Sequence, residues 1–170
     1  MLEAFNEATR ILLFKGKEGY SSTASIIEKF RERDIFSFNE SDRETIQRLF
    51  LDSLPILENR DGYRSPVSVG KLLPLLAGEF FPFWDNNIAR AYRCWWYGDH
   101  SFAAKKYVDF MRKMKVLSEN VLKDCMYKKN IGREAATEYI RRKCSEWGCK
   151  RPFLKIIDEY NYAKYTKRWI

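Results

Sequence analysis

The chain has 170 residues, enough for one domain of ordinary size, and its 45% hydrophobic and 32% charged residues are typical of a folded protein. This balance argues against intrinsic disorder. No apolar run approaches the roughly 20 residues that a membrane span needs, and the first residues lack the basic and apolar regions of a secretory signal. We therefore expect a cytoplasmic protein whose four cysteines are mostly buried free thiols.

The formal net charge of +8 is distributed unevenly along the chain. Residues 1–85 carry 11 Lys and Arg against 14 Asp and Glu, whereas residues 86–170 carry 20 against 9. The stretch from Phe80 onward also holds 19 aromatic residues, including all five tryptophans. A basic, aromatic-rich half favours nucleic acid as the partner, DNA in particular, and no membrane partner is expected. An aromatic core beneath a solvated basic surface explains the same composition, so both interpretations stay open.

The hydrophobic periodicity is helical along almost the whole chain, which predicts an all-α fold of about eight helices. Start and stop signals define the first four helices. They are a helix from about Leu2 to Lys15, a helix capped by Ser21 or Ser22, a helix with a capping box of Ser41 and Glu44 that bends or ends at Pro55, and a helix opened by Ser65 and Pro66 and closed by Gly78.

Similar signals define the later helices. They are a helix capped by Asp85 and ending near Gly98, a helix started by Ser101 that runs from Phe102 to about Leu117, a shorter one to about Tyr127, a helix after Gly132 that ends at Gly148, and a last helix with Pro152 in its first turn. Together the elements predict a single all-α domain over residues 1–170. Residues 1–64 form a mildly acidic helical layer. Residues 65–170 contain the hairpin-helix and form a basic, aromatic-rich layer, and a cleft can lie between the two layers.

The segment 65–88 is the most unusual stretch of the chain. It reads Ser-Pro-Val-Ser-Val-Gly-Lys-Leu-Leu-Pro-Leu-Leu-Ala-Gly-Glu-Phe-Phe-Pro-Phe-Trp-Asp-Asn-Asn-Ile. This order predicts a helix, a tight turn, an apolar helix, a loop and then an aspartate at a helix start. Over about 65–90 the layout resembles the helix-hairpin-helix DNA glycosylases of the HhH-GPD superfamily. Its Lys-Leu-Leu and Phe-Pro-x-Trp-Asp-x-x-Ile motifs are also similar to a group of uncharacterised proteins.

The resemblance to the glycosylases implies roles for particular residues. Ser68 and Gly70 take the place of the phosphate-binding hairpin, with Ser68 where the family has its first glycine. Asp85 takes the place of the catalytic aspartate, whose carboxylate stabilises an oxocarbenium-like sugar or activates water. Lys71 lies near the position of the lyase lysine, which attacks C1′ as a neutral amine and forms a Schiff base.

The same interpretation assigns binding roles to aromatic and basic residues. A flipped base stacks on an aromatic pocket, for which the candidates are Phe83, Trp84, Trp95 and Trp96. Phosphates attract cations, and the candidates besides the hairpin are Arg90, Arg93, Lys105, Lys106, Arg141 and Arg142. No metal or other cofactor is expected, because the spacing of Cys144 and Cys149 is wider than in a zinc knuckle and no nucleotide-binding glycine motif is present.

Each candidate also has a structural explanation. Asp85 lies where a helix cap is expected, Lys71 can extend along an apolar helix as a surface lysine, and residues 80–84 can plug the core. The sequence therefore predicts either a DNA-binding base-excision glycosylase, with or without lyase activity, or a non-catalytic helical module that binds nucleic acid or protein. The two predictions differ at Asp85. If this residue is only a helix cap, its carboxylate accepts hydrogen bonds from nearby amides.

Overall fold

Every regular element that the structure describes is helical. The structure, a computed structural model, describes residues 21–145 and 152–170, and within these ranges it contains no strand, which confirms the all-α prediction. The described helices are α1 (Ser21–Arg31), α2 (Arg43–Ser53), α3 (Pro66–Leu76), α4 (Asn86–Ala91), α5 (His100–Lys129), α6 (Arg133–Ser145) and α7 (Phe153–Asn161). A π turn, Tyr162–Lys167, extends α7. The helix predicted from Leu2 to Lys15 lies outside the described residues.

Polar caps and prolines begin several helices where the sequence predicts them. The Ser65 side chain accepts a hydrogen bond from an amide in the first turn of α3, and Pro66 is the first residue of that helix. Asp85 accepts a hydrogen bond from the Ile88 amide at the start of α4. Pro152 directly precedes α7. The predicted starts of α3 and α4 are thus confirmed, whereas α7 begins at Phe153, so that Pro152 precedes its first turn.

The capping box before α2 differs from the prediction. It pairs Asn39 with Asp42, and not Ser41 with Glu44. The Asn39 amide donates to the Asp42 carboxylate at 3.0 Å, and the Asn39 side chain accepts from the Ser41 amide at 3.0 Å. A short 3₁₀ turn, Glu40–Asp42, therefore precedes α2, and it supplies the cap two residues earlier than the sequence predicts.

The two helices predicted between Phe102 and Tyr127 form one continuous helix, α5. Asp99 and not Ser101 caps it, since the Asp99 carboxylate accepts a hydrogen bond from the Phe102 amide at 2.7 Å. No glycine or proline interrupts the helix, and Ser118, near the predicted break, is buried. Packing against α2, α3, α6 and α7 holds this 30-residue helix along its length.

The hydrophobic core lies between α5 and the helices around it. The four α3 residues that the periodicity predicts as its apolar face are all buried, namely Val69, Leu72, Leu73 and Leu76. The segment 80–84 inserts into the same core, where Phe80, Phe81 and Trp84 are fully buried. This burial supports the structural explanation of that segment. No described helix combines the length and the apolar composition that a membrane-spanning segment requires.

Candidate nucleic-acid interface

Asp85 is a buried cap, and both of its carboxylate oxygens have protein partners. The residue is 8% exposed. Its Oδ1 accepts from the Ile88 amide at 2.8 Å, and its Oδ2 accepts from the Thr166 hydroxyl at 2.7 Å. Because Thr166 belongs to the π turn after α7, Asp85 joins the start of α4 to the C-terminal part of the chain. This arrangement supports a stabilising role for Asp85.

The predicted phosphate-binding hairpin is part of a helix. Ser68, Gly70 and Lys71 all lie inside α3, where the Ser68 and Val69 amides donate to the Ser65 carbonyl at 3.0 and 3.4 Å. Amides that are bonded within a helix cannot cradle a phosphate. Lys71 is exposed on α3, and the described residues show no contact between it and the buried carboxylate that caps α4.

Gly70 lies where α3 approaches Trp84 closely, which gives the glycine a packing role, and its phosphate-binding role stays a prediction. A Cβ at Gly70 would lie 2.9 Å from the Cβ of Trp84 and 3.0 Å from its carbonyl oxygen. The Trp84 amide donates to the Gly70 carbonyl at 3.2 Å, which fixes this close approach. The glycine therefore allows the segment 80–84 to pack against α3.

Trp84 lies in the core, and its burial argues against the predicted role in base stacking. Its ring centroid lies 6.0 Å from that of Phe50, 4.6 Å from that of Trp96 and 5.5 Å from that of Tyr107. Trp84 is 0% exposed, so a base can reach it only if the core opens. Phe83 and Trp96 are half-buried against the same core.

An open cluster of arginine and aromatic side chains lies at the end of α4 and in the segment after it. Arg90, Arg93, Trp95 and Tyr97 line a shallow, open concavity of about 400 Å³. The Arg90 guanidinium lies over the Trp95 ring, 4.8 Å from its centroid. The Tyr97 ring meets Trp95 edge-on with the centroids 4.3 Å apart, and Tyr97 is 74% exposed. We call these four residues the Arg–aromatic cluster.

The backbone holds Arg93 in a conformation that usually selects glycine. Arg93 has φ 56°, in the left-handed region, just after the end of α4. Its amide donates to the Arg90 carbonyl at 3.0 Å, and the Cys94 amide donates to the Ala89 carbonyl at 2.8 Å, the hydrogen-bond pairing of a Schellman motif. A side chain in this region costs about 1 kcal/mol.

Lys113 on α5 contacts the segment that carries the Arg–aromatic cluster. Lys113 donates to the Tyr92 carbonyl at 2.5 Å. Burial raises the pKa of the neighbouring Cys94 thiol, and Lys113, Asp109 and Lys106 also act on it electrostatically. Lys106 itself pairs with the Asp109 carboxylate at 3.8 Å, and Arg112 binds the same carboxylate.

The remaining predicted cations lie on other surfaces. Arg141 on α6 donates to the Glu79 carboxylate at 2.8 Å, and Arg142 is exposed on the same helix. Lys105 is exposed on α5, but it lies about 100° around the helix from Lys106. The predicted cations that the structure brings to the cluster are Arg90 and Arg93.

Tyr97 is a member of the cluster that the sequence analysis misses. The prediction extends the helix after Asp85 to near Gly98, whereas α4 ends at Ala91 and the chain to the cap of α5 is irregular. Gly98 has φ 78°, a conformation that suits a turn in an irregular segment. The signal that could have found Tyr97 is this irregular run of arginine and aromatic residues between two helix caps.

A buried carboxyl group lies behind the segment 80–84 and is also missed by the sequence analysis. Asp158 on α7 is 3% exposed, and its Oδ1 has no hydrogen-bond partner among the described residues. Burial raises the pKa of Asp158 to about 7, although a hydrogen bond with the Phe83 backbone acts in the opposite direction. Asp158 therefore belongs to the core and not to the Arg–aromatic cluster.

The described residues contain no group of three or more His, Cys, Asp or Glu side chains that could hold a metal ion. Cys94 is a buried free thiol and Cys125 is a half-buried one. Cys149 and the side chain of Cys144 lie outside the part of the chain that the structure describes.

Comparisons of the chain with protein-family models, curated proteins and solved structures give no match. Function is therefore inferred from the residues of the site. The features that can support such an inference are an open aromatic surface, two arginines beside it and the neighbouring Lys113 of α5.

Proposed function

We propose that this protein is a non-catalytic module that binds nucleic acid through the Arg–aromatic cluster. The observation that carries the proposal is the concavity in which Arg90 and Arg93 flank Trp95 and Tyr97. Within residues 21–145 and 152–170, neither arginine is paired with a carboxylate. Guanidinium groups bind phosphates and aromatic rings stack on bases, so the two kinds of side chain together suit this class of ligand.

The charge distribution supports the same class of partner. Residues 86–170 carry 20 Lys and Arg against 9 Asp and Glu. Part of this excess is used inside the fold, because Arg112 binds Glu40 and Lys115 donates to the Phe38 carbonyl. Cations beside an open aromatic surface attract a polyanion and orient its phosphates. Those at the cluster are Arg90 and Arg93, and Lys113 lies next to it.

Base excision stays a prediction from the sequence and is not part of the proposal. Both oxygens of Asp85 are hydrogen-bonded to the protein, and Lys71 is exposed on α3. We expect no release of uracil, 8-oxoguanine or alkylated purines from labelled duplexes. Release that is lost in Asp85→Asn would overturn the non-catalytic part of the proposal.

Fluorescence anisotropy with labelled oligonucleotides over a salt series tests the binding. Arg93→Gly removes the guanidinium and supplies the residue that the backbone conformation favours, so we expect stability to be unchanged or raised by up to about 1 kcal/mol. Affinity should fall by about tenfold, and the slope of log K against log salt should lessen by about 0.7 to 0.9.

Arg168→Gly is the matched control for this experiment. Arg168 also has a left-handed backbone, with φ 57°, and it does not line the concavity. The substitution therefore removes the same charge from the same backbone conformation, and we expect a much smaller loss of affinity. Equal losses in Arg93→Gly and Arg168→Gly would contradict the location of the interface. Absence of binding to any oligonucleotide at low salt would contradict the function.

A further inference from the structure

We infer that the Arg–aromatic cluster receives an unpaired base, so that the protein binds single-stranded nucleic acid more tightly than duplex. This inference rests on the proposed function and specifies its ligand. Tyr97 is the residue on which it depends, because a base in a single strand can stack on an exposed ring.

Tyr97 presents the open aromatic surface of the cluster. It is 74% exposed, whereas Trp95 and Trp96 are half-buried. Arg90 lies over the Trp95 ring, and Trp96 packs against the fully buried Trp84. The ring that remains open to a base is therefore that of Tyr97.

The Tyr97 ring is supported by a row of rings that leads into the core. It contacts Trp95 at an interplanar angle of 86°. Trp95 in turn lies beside Trp96, with ring centroids 6.0 Å apart, and Trp96 lies beside Trp84, with centroids 4.6 Å apart. An exposed ring that is already held in position loses less side-chain freedom when a base stacks on it, which favours binding.

The shape of the site favours a single strand. In a duplex, the neighbouring base pairs cover both faces of a base. A base can therefore stack on a side chain only where it has left the duplex, as in a single strand. The cluster forms a concavity of about 400 Å³, whereas duplex readers insert a helix or a ribbon into a groove. Arg93 lines the same concavity, where its guanidinium can bind a phosphate next to the stacked base.

The test measures anisotropy with oligodeoxythymidine and oligouridine of about 15 nucleotides and with a duplex of the same length. We expect the wild type to bind at least one single strand about tenfold more tightly than the duplex. Tyr97→Ala should weaken single-strand binding by about tenfold and leave duplex binding within about twofold, whereas Tyr97→Phe keeps the stacking ring and should resemble the wild type. Tyr127→Ala is the control, since Tyr127 is 88% exposed on α5 and does not line the concavity.

The possible results separate this inference from the proposed function. Duplex binding as tight as single-strand binding, or single-strand affinity unchanged by Tyr97→Ala, overturns the inference. The proposed function still stands in that case if Arg93→Gly weakens binding. No binding to any of the three nucleic acids at low salt overturns both. Tyr97-dependent binding to one single strand alone supports the inference and identifies the strand as DNA or RNA.

Discussion

Replacing Gly70 by alanine is expected to destabilise the protein, although alanine is the better helix former. The added Cβ would lie 2.9 Å from the Trp84 Cβ, 3.0 Å from its carbonyl oxygen and 3.1 Å from its ring. The carbonyl oxygen belongs to the backbone and the Cβ is bonded directly to Cα, so rotation of the side chain does not relieve the first two contacts. Trp84 is itself held by Phe50, Trp96 and Tyr107.

Two opposing effects determine the magnitude. Alanine in a helix interior is favoured over glycine by about 1 kcal/mol. A methyl group inserted into a well-packed core costs about 1 to 3 kcal/mol, and contacts this short against a fully buried Trp84 belong at the upper end. The required shift also stretches the 3.2 Å hydrogen bond from the Trp84 amide to the Gly70 carbonyl. We therefore expect the free energy of unfolding to fall by about 2 kcal/mol.

Urea unfolding followed by circular dichroism measures this loss. Gly132→Ala is the control, because a Cβ at Gly132 meets no atom within 4 Å, and we expect its effect to stay within about 0.5 kcal/mol. A Gly70→Ala protein as stable as the wild type would refute the close approach of the two segments. The same result would favour the interpretation of Gly70 as part of a phosphate-binding hairpin, because alanine in such a hairpin lowers the affinity for phosphate without lowering stability.

Two further predictions concern buried carboxyl groups. Asp85→Ala should lower the free energy of unfolding by about 2 kcal/mol. Asp85→Asn keeps an oxygen for the Ile88 amide, so it should lower this free energy by about half as much. Equal losses for the two variants in thermal unfolding would contradict the cap. Burial raises the pKa of Asp158 to about 7 from 3.8, so the folded protein favours the protonated carboxyl group. The stability that this protonated group contributes is therefore full below about pH 4 and is lost as the pH rises to 7. The difference in unfolding free energy between the wild type and Asp158→Asn should therefore change by about 3 kcal/mol between about pH 5 and pH 8, and parallel pH curves would contradict this assignment.

The helix starts could be predicted from the sequence because their signals are local. Ser65 with Pro66, and Asp85 likewise, act within one helical turn, so neighbouring residues suffice to identify them. The continuity of α5 was harder to predict, because Ser118 is a poor helix former whose burial depends on the surrounding helices.

The site could be predicted only in part. Arg90, Arg93 and Trp95 follow from the search for cations and aromatic rings in the basic half of the chain. Trp84 and Tyr97 could not be told apart, since both lie in irregular segments without a periodicity that separates buried from exposed rings. Gly70 poses the same problem, because only its contact with a segment later in the chain explains a glycine inside α3.

The most direct test of the proposed interface follows the indole N–H signals of the five tryptophans by nuclear magnetic resonance. Oligodeoxythymidine and oligouridine are titrated into the protein in turn, single Trp→Phe variants assign the signals, and the strand that binds more tightly is the one evaluated. We predict that the Trp95 signal shifts progressively while that of the fully buried Trp84 changes little. A titration that leaves Trp95 unchanged, or that shifts only the exposed Trp169, would contradict binding at the Arg–aromatic cluster.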